Sequence, residues 1–215
     1  MSLIAVILHI CVDILCGLLV LRLLKDTEWQ LFTIVKALAI GMMVDTLFVG
    51  SLSFFGLSIL ASFILFSIIN IGLFGVFYKK LNLSWSDKLL KGRVSIWEGL
   101  LLVFILEKLL WSIYSLIKLP VYFDDALNHW SGRGKALLYS VNWSWDPASP
   151  LFMGKAFGHE QYPLFASIWR ATNTSIAGSP DGFIERVDGL LMWVIIGISI
   201  ATWINEVSGK INPLE

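Results

Sequence analysis

The chain has 215 residues, 57% of them hydrophobic and 15% charged, with a mean hydropathy of +0.76. Soluble domains carry roughly 25% charge, so the composition weighs against a water-soluble single domain. Lys+Arg and Asp+Glu number 16 each, which removes the basic excess of a nucleic-acid binder.

A membrane-spanning helix takes roughly 20 mostly apolar residues, and five stretches meet that need. The first, 3–24, is interrupted by His9 and Asp13 and also holds Cys11 and Cys16, which give no disulfide framework. It lacks the positive leader and small-residue cleavage pattern of a removable signal peptide. The second, 31–49, carries Lys36 and Asp45 and is expected to end in a turn beginning at Gly50-Ser51. The third, 56–78, has no charge at all. The fourth, 94–117, contains Glu98, Glu107 and Lys108, and the fifth, 189–205, is short and uncharged. The expected fold is an all-α integral membrane protein of about five transmembrane helices. Residues 1–117 form a four-span region, 118–186 a long extracytoplasmic loop with amphipathic interfacial helices, and 187–215 the fifth span and a cytoplasmic tail.

Orientation follows the positive residues of the short loops. Lys79, Lys80, Lys88, Lys91 and Arg93 mark the connection after the third span as cytoplasmic, and Arg22, Lys25 and Lys210 agree with it. The N-terminus and the 118–186 loop then lie outside, in a membrane read as a prokaryotic cytoplasmic membrane. Within the loop, 124–140 reads as an amphipathic helix, 142–150 as a turn region and 163–171 as a second short helix, both helices lying flat on the bilayer. Ten tryptophans suit interface anchoring or a stacking surface, Trp143 and Trp145 among them.

Charges inside spans are costly and should face protein or water. Interhelical pairing is the simplest role for them, with Asp13 and Lys36 as one candidate pair. Glu107 and Lys108, being adjacent, should point apart to different partners. Asp124-Asp125 is the sharpest chemical feature: two carboxylates at the outer interface repel each other in a low dielectric, which suits one of them to general-base work on a hydroxyl. The plainer account is a helix N-terminus, where acidic residues are favoured by the dipole.

The order of further residues favours chemistry. Phe123-Asp124-Asp125-Ala126 is followed by Trp130, then Arg133-Gly134-Lys135-Ala136, then Tyr162-Pro163-Leu164. Over residues 120–171 this set resembles the first extracytoplasmic loop of GT-C superfamily glycosyltransferases, in the branch of protein mannosyltransferases and aminoarabinose transferases. The resemblance implies an inverting transfer from a polyprenyl-phosphate sugar to an acceptor hydroxyl of a glycan, lipid or protein. Asp125 or Asp124 would be the catalytic base, and Arg133, Lys135 and Arg170 would face the donor phosphate. His129, Trp130, His159, Glu160 and Tyr162 are candidates for the substrate cavity. Relatives place the acidic loop after the first span and continue with more spans, so this chain is expected to be the N-terminal portion of such an enzyme or a reduced member needing a partner. No zinc-ligand spacing joins His9, His129 and His159; no cofactor is implied, and a divalent metal stays open. The alternative function is a non-catalytic membrane scaffold or accessory subunit.

Overall fold

A computed structural model describes residues 2–24, 31–77, 96–118, 132–139, 143–155, 164–179 and 183–211. The helices among them are α1 (Ser2–Leu23), α2 (Leu31–Phe54), α3 (Ile59–Phe77), α4 (Ile96–Lys118), α5 (Arg133–Tyr139), α6 (Phe165–Ala177) and α7 (Ile184–Ile211). No strand occurs among the described residues; Ser144 and Phe152 form an isolated bridge. Among the described residues, three helices, α1, α2 and α3, are long and apolar enough to cross a membrane. The 22 residues of α1 extend roughly 33 Å at ~1.5 Å per residue, enough for a hydrocarbon layer of ~30 Å.

The tightest packing is between the antiparallel helices α1 and α2, and glycine makes it possible. A Cβ on Gly17 would lie 1.8 Å from the carbonyl oxygen of Ala37, and one on Gly41 1.8 Å from that of Asp13. The backbones are therefore in contact, as small residues four apart allow inside a membrane where no hydrophobic force draws helices together. The outward faces of α1 and α3 expose Ile4, Ile7, Leu8, Ile64, Ile68 and Ile71, the surface a helix offers to lipid.

The turn after α2 comes later than Gly50-Ser51. Nothing at Gly50 stops the helix, and its bare Cα accommodates the Ile168 side chain, which a Cβ would meet at 2.8 Å. The helix closes instead at Gly56, whose φ of 92° reverses the chain. Leu57 N–H donates to Leu52 O at 3.1 Å and Gly56 N–H to Ser53 O at 3.0 Å, the paired bonds of a Schellman ending. Two residues on, Ser58 Oγ accepts from Ala61 N–H at 3.2 Å and caps α3.

α4 and α7 lie against each other. Arg186 Nη1 donates to Ser115 O at 2.6 Å, and a Cβ on Gly197 would meet Ile105 at 2.9 Å. On α4 the adjacent Glu107 and Lys108 do not part: Lys108 Nζ lies 3.0 Å from Glu107 Oε2 and over the Phe104 ring at 5.2 Å. Both side chains are on the surface, where bending back to a neighbour is the cheapest way to meet a counter-charge.

The second short helix, expected over 163–171, runs over Phe165–Ala177 and does not lie as a flat interfacial helix. Ser167, Trp169, Thr172 and Asn173 of α6 are fully buried, and α6 packs among α1, α2, α3, α5 and α7. Its polar residues survive burial by bonding back along the helix: Thr172 Oγ1 donates to Ile168 O at 3.0 Å, Asn173 Nδ2 to Trp169 O at 3.0 Å and Ser175 Oγ to Ala171 O at 2.8 Å. Gly178, with φ 80°, closes it. α6 is thus a short polar-seamed helix inserted into the bundle, and Trp169 and Ala177 join Ala5, Val6, Leu38, Met42, Ile184 and Val187 in its core.

Candidate functional site

Two features stand out, one inside the bundle and one on its side. The inner one starts from the α1–α2 register. Gly17 meets Ala37 and Asp13 meets Gly41; one further step of four residues along each helix sets His9 against Asp45. His9 Nε2 lies 2.9 Å from Asp45 Oδ2 and 3.7 Å from Asp13 Oδ2. From α6, Trp169 Nε1 donates to Asp13 Oδ2 at 3.2 Å, and its ring stacks on the imidazole at 5.0 Å with 17° between planes. Phe63 of α3 meets the imidazole edge-on at 4.9 Å. Four helices therefore converge on one imidazole and two carboxylates, all three at 0% exposure. The Asp13–Lys36 pairing expected from the sequence is not what Asp13 makes; its partners are His9 and Trp169.

Four polar atoms here have no hydrogen-bond partner among the described residues: His9 Nδ1, Asp13 Oδ1, Asp45 Oδ1 and Asn173 Oδ1. Such atoms are rare in a buried setting. The sequence held a signal for this cluster in the spacing of His9 and Asp13, which puts them on one helix face. Asp45 could not be added without the register.

The outer feature is an apolar groove of about 510 Å³ between α2, the 143–155 segment and the start of α6, walled by Met43, Leu47, Phe54, Trp145, Leu164 and Ile168. Trp145 stands edge-on to Phe54 at 5.7 Å and to Trp143 at 5.3 Å. Leu164 belongs to the Tyr162-Pro163-Leu164 element, so one end of the motif set abuts the groove.

Of the site residues expected from sequence, Asp124, Asp125, His129, Trp130, His159, Glu160 and Tyr162 lie outside the described residues. The three basic candidates are described. Arg133 is fully buried, and its Nε donates to Met153 O at 3.0 Å, fastening α5 to the 143–155 segment. Arg170 makes a two-pronged pair with Asp188, Nε to Oδ2 at 3.0 Å and Nη2 to Oδ1 at 2.9 Å, fastening α6 to α7. Lys135 is half-buried on α5. α5 is brought onto α6, where a Cβ on Gly134 would lie 2.9 Å from Ser167 O. The Arg-Gly-Lys-Ala element and the helix that follows Tyr-Pro-Leu are thus neighbours in space. No family model, curated protein or solved structure matches this chain.

Proposed function

We propose that this chain carries the acceptor-activating loop of a GT-C type glycosyltransferase, acting on a polyprenyl-phosphate sugar at the extracytoplasmic face of a five-span membrane region. The observation that carries the reading is the apolar groove walled by Leu164 and Trp145: a hydrophobic channel beside the motif set suits the isoprenoid chain of such a donor. The docking of α5 on α6 supports it, because that contact joins two separated parts of the motif set. Asp125, with Asp124 as the alternative, takes the acceptor's hydroxyl proton; the oxygen attacks the anomeric carbon with inversion, and polyprenyl phosphate departs. Arg133, Lys135 and Arg170 are the cations that would face that phosphate; Arg170 also pairs with Asp188, and Arg133 donates to the Met153 carbonyl.

The test is transfer in membranes supplied with a polyprenyl-phosphate sugar, followed by release of polyprenyl phosphate. Asp125→Asn or Asp124→Asn is expected to cut the rate by ~10²–10⁴, the usual share of a general base, with the protein still folded. Ser51 also lines the groove, and Ser51→Trp, which fills it, should raise KM for the long-chain donor and spare a short-chain analogue. Full activity in both Asn variants would end the base assignment. A folded wild-type chain that releases no polyprenyl phosphate from a panel of donors would favour a non-catalytic scaffold.

A further inference from the structure

The His9–Asp13–Asp45 cluster plays no part in the reading above, and it sets two carboxylates against a single imidazole. No Lys or Arg reaches either carboxylate among the described residues; their partners are His9 and Trp169. A neutral imidazole with two ionised carboxylates leaves two negative charges at 0% exposure, inside helices long and apolar enough to span a bilayer. Charge buried in this way has to be neutralised or paired. We infer that His9, Asp13 and Asp45 form a binding site for a divalent transition-metal ion, with Zn²⁺ or Mn²⁺ as the fitting class.

Three observations carry this. The first is charge: a divalent cation with neutral His9 and two carboxylates makes the cluster electroneutral. The second is spacing. One ligand atom from each residue lies within 4.8 Å of the others. Ligands bound at ~2.0–2.2 Å in tetrahedral geometry sit about 3.4 Å apart, and the Nε2–Oδ2 separations of 2.9 and 3.7 Å bracket that value. Small side-chain adjustments within the existing register therefore suffice.

The third is the unpartnered atoms. A metal on Nε2 requires the proton to be on Nδ1, and a liganding imidazole commonly donates that N–H to a neighbouring acceptor. Asn173 commits Nδ2 to Trp169 O, which leaves its buried, unpartnered Oδ1 as the acceptor it can offer the imidazole. With Nε2 facing the carboxylates, Nδ1 is the nitrogen left for such an acceptor. Metal binding thereby completes both atoms at once. Trp169 Nε1 already holds the Asp13 carboxylate, while Trp169 and Phe63 fix the imidazole plane. The ligands come from α1 and α2 and their support from α3 and α6, so the ion would tie the inserted helix α6 to the bundle. This inference stands independently of the glycosyltransferase reading.

The experiment uses the full chain purified in detergent without chelators, then stripped with EDTA and titrated with ZnCl₂, MnCl₂ or CoCl₂. Near-stoichiometric metal is expected on elemental analysis of the unstripped protein. Thermal unfolding should move up on adding Zn²⁺ or Mn²⁺ to stripped protein, and Co²⁺ should give visible d–d bands. The Zn²⁺ response should be lost in Asp13→Asn and Asp45→Asn, while Asn173→Ala should weaken affinity about 10–100-fold, as removal of an outer-shell partner does. A folded wild-type protein that holds no metal and shows no Zn²⁺, Mn²⁺ or Co²⁺ response overturns the site, and leaves the cluster to be neutralised by protons. An unchanged Zn²⁺ response in the Asp13→Asn/Asp45→Asn double variant also overturns it, by placing the metal elsewhere. Should the variants not fold, the Co²⁺ spectrum of the Cys11→Ser/Cys16→Ser protein, otherwise wild-type, decides: bands of a nitrogen- and oxygen-ligated ion uphold the site, and their absence rejects it.

Discussion

The sequence offers Arg170 as a residue for a phosphate, and in the structure its guanidinium meets Asp188 through two parallel bonds of 3.0 and 2.9 Å. The fork geometry of Arg makes it apt for either partner, so residue type alone cannot choose between them; only the chain's path, which brings α7 beside α6, does. Both side chains are nine-tenths buried, and removing one partner of such a pair leaves an uncompensated charge that costs about 3–5 kcal/mol. Asp188→Asn is therefore expected to lower the unfolding temperature markedly, and Arg170→Met with Asp188→Leu to recover most of the loss. The double variant also separates roles. Retained transfer activity in it would show that Arg170 fastens α6 to α7, and a stable but inactive double variant would return Arg170 to the donor phosphate. If single and double variants were equally unstable, the pair would not be what secures this junction.

At the scale of elements, the helices were legible because twenty-residue apolar runs have no other use in a chain this poor in charge. The sequence-based span 3–24 became Ser2–Leu23, and 56–78 became Ile59–Phe77. Where expectation and structure part, the reason is tertiary. The stretch 163–171 reads as a short surface helix from sequence, but α6 continues through Thr172, Asn173 and Ser175, whose donors bond to carbonyls four residues back, so the helix can be buried without stranding them. The His9–Asp45 meeting was hidden because it depends on the α1–α2 register, which two glycines set. That dependence can be measured. Gly17→Leu adds bulk where even a Cβ would lie 1.8 Å from a backbone oxygen, so it should part α1 from α2 and destabilise the chain by well over the ~1 kcal/mol scale of a helix-propensity change. Gly72→Ala and Gly75→Ala on α3, where nothing lies within 4 Å, should be neutral in the same thermal unfolding assay. Equal effects at Gly17 and Gly72 would show that close approach does not set the register.

For the whole molecule, the packing of α6 restricts how the bundle can sit in a bilayer. Ile168 reaches Gly50 near the C-terminal end of α2, and Trp169 reaches Asp13 in the middle of α1. The 143–155 segment meets the same end of α2 through Trp145 and Phe54. The 143–155 segment and the start of α6 therefore lie toward the side on which α1 begins and α2 ends. The positive residues Lys79, Lys80, Lys88, Lys91 and Arg93 follow α3, which runs away from that side, and the positive-inside rule assigns them to the cytoplasm. The orientation expected from that rule, with the N-terminus outside, would then put residue 148 outside as well. In a background with Cys11 and Cys16 replaced by Ser, Ala148→Cys is expected to react with a membrane-impermeant maleimide in intact cells. Ser86→Cys should react only after permeabilisation. The opposite pattern would invert the molecule and move the groove beside Trp145 to the cytoplasmic leaflet, where an extracytoplasmic donor could not fill it. Labelling of both positions in intact cells would mean that α3 does not cross the membrane, and the five-span arrangement would fall with it.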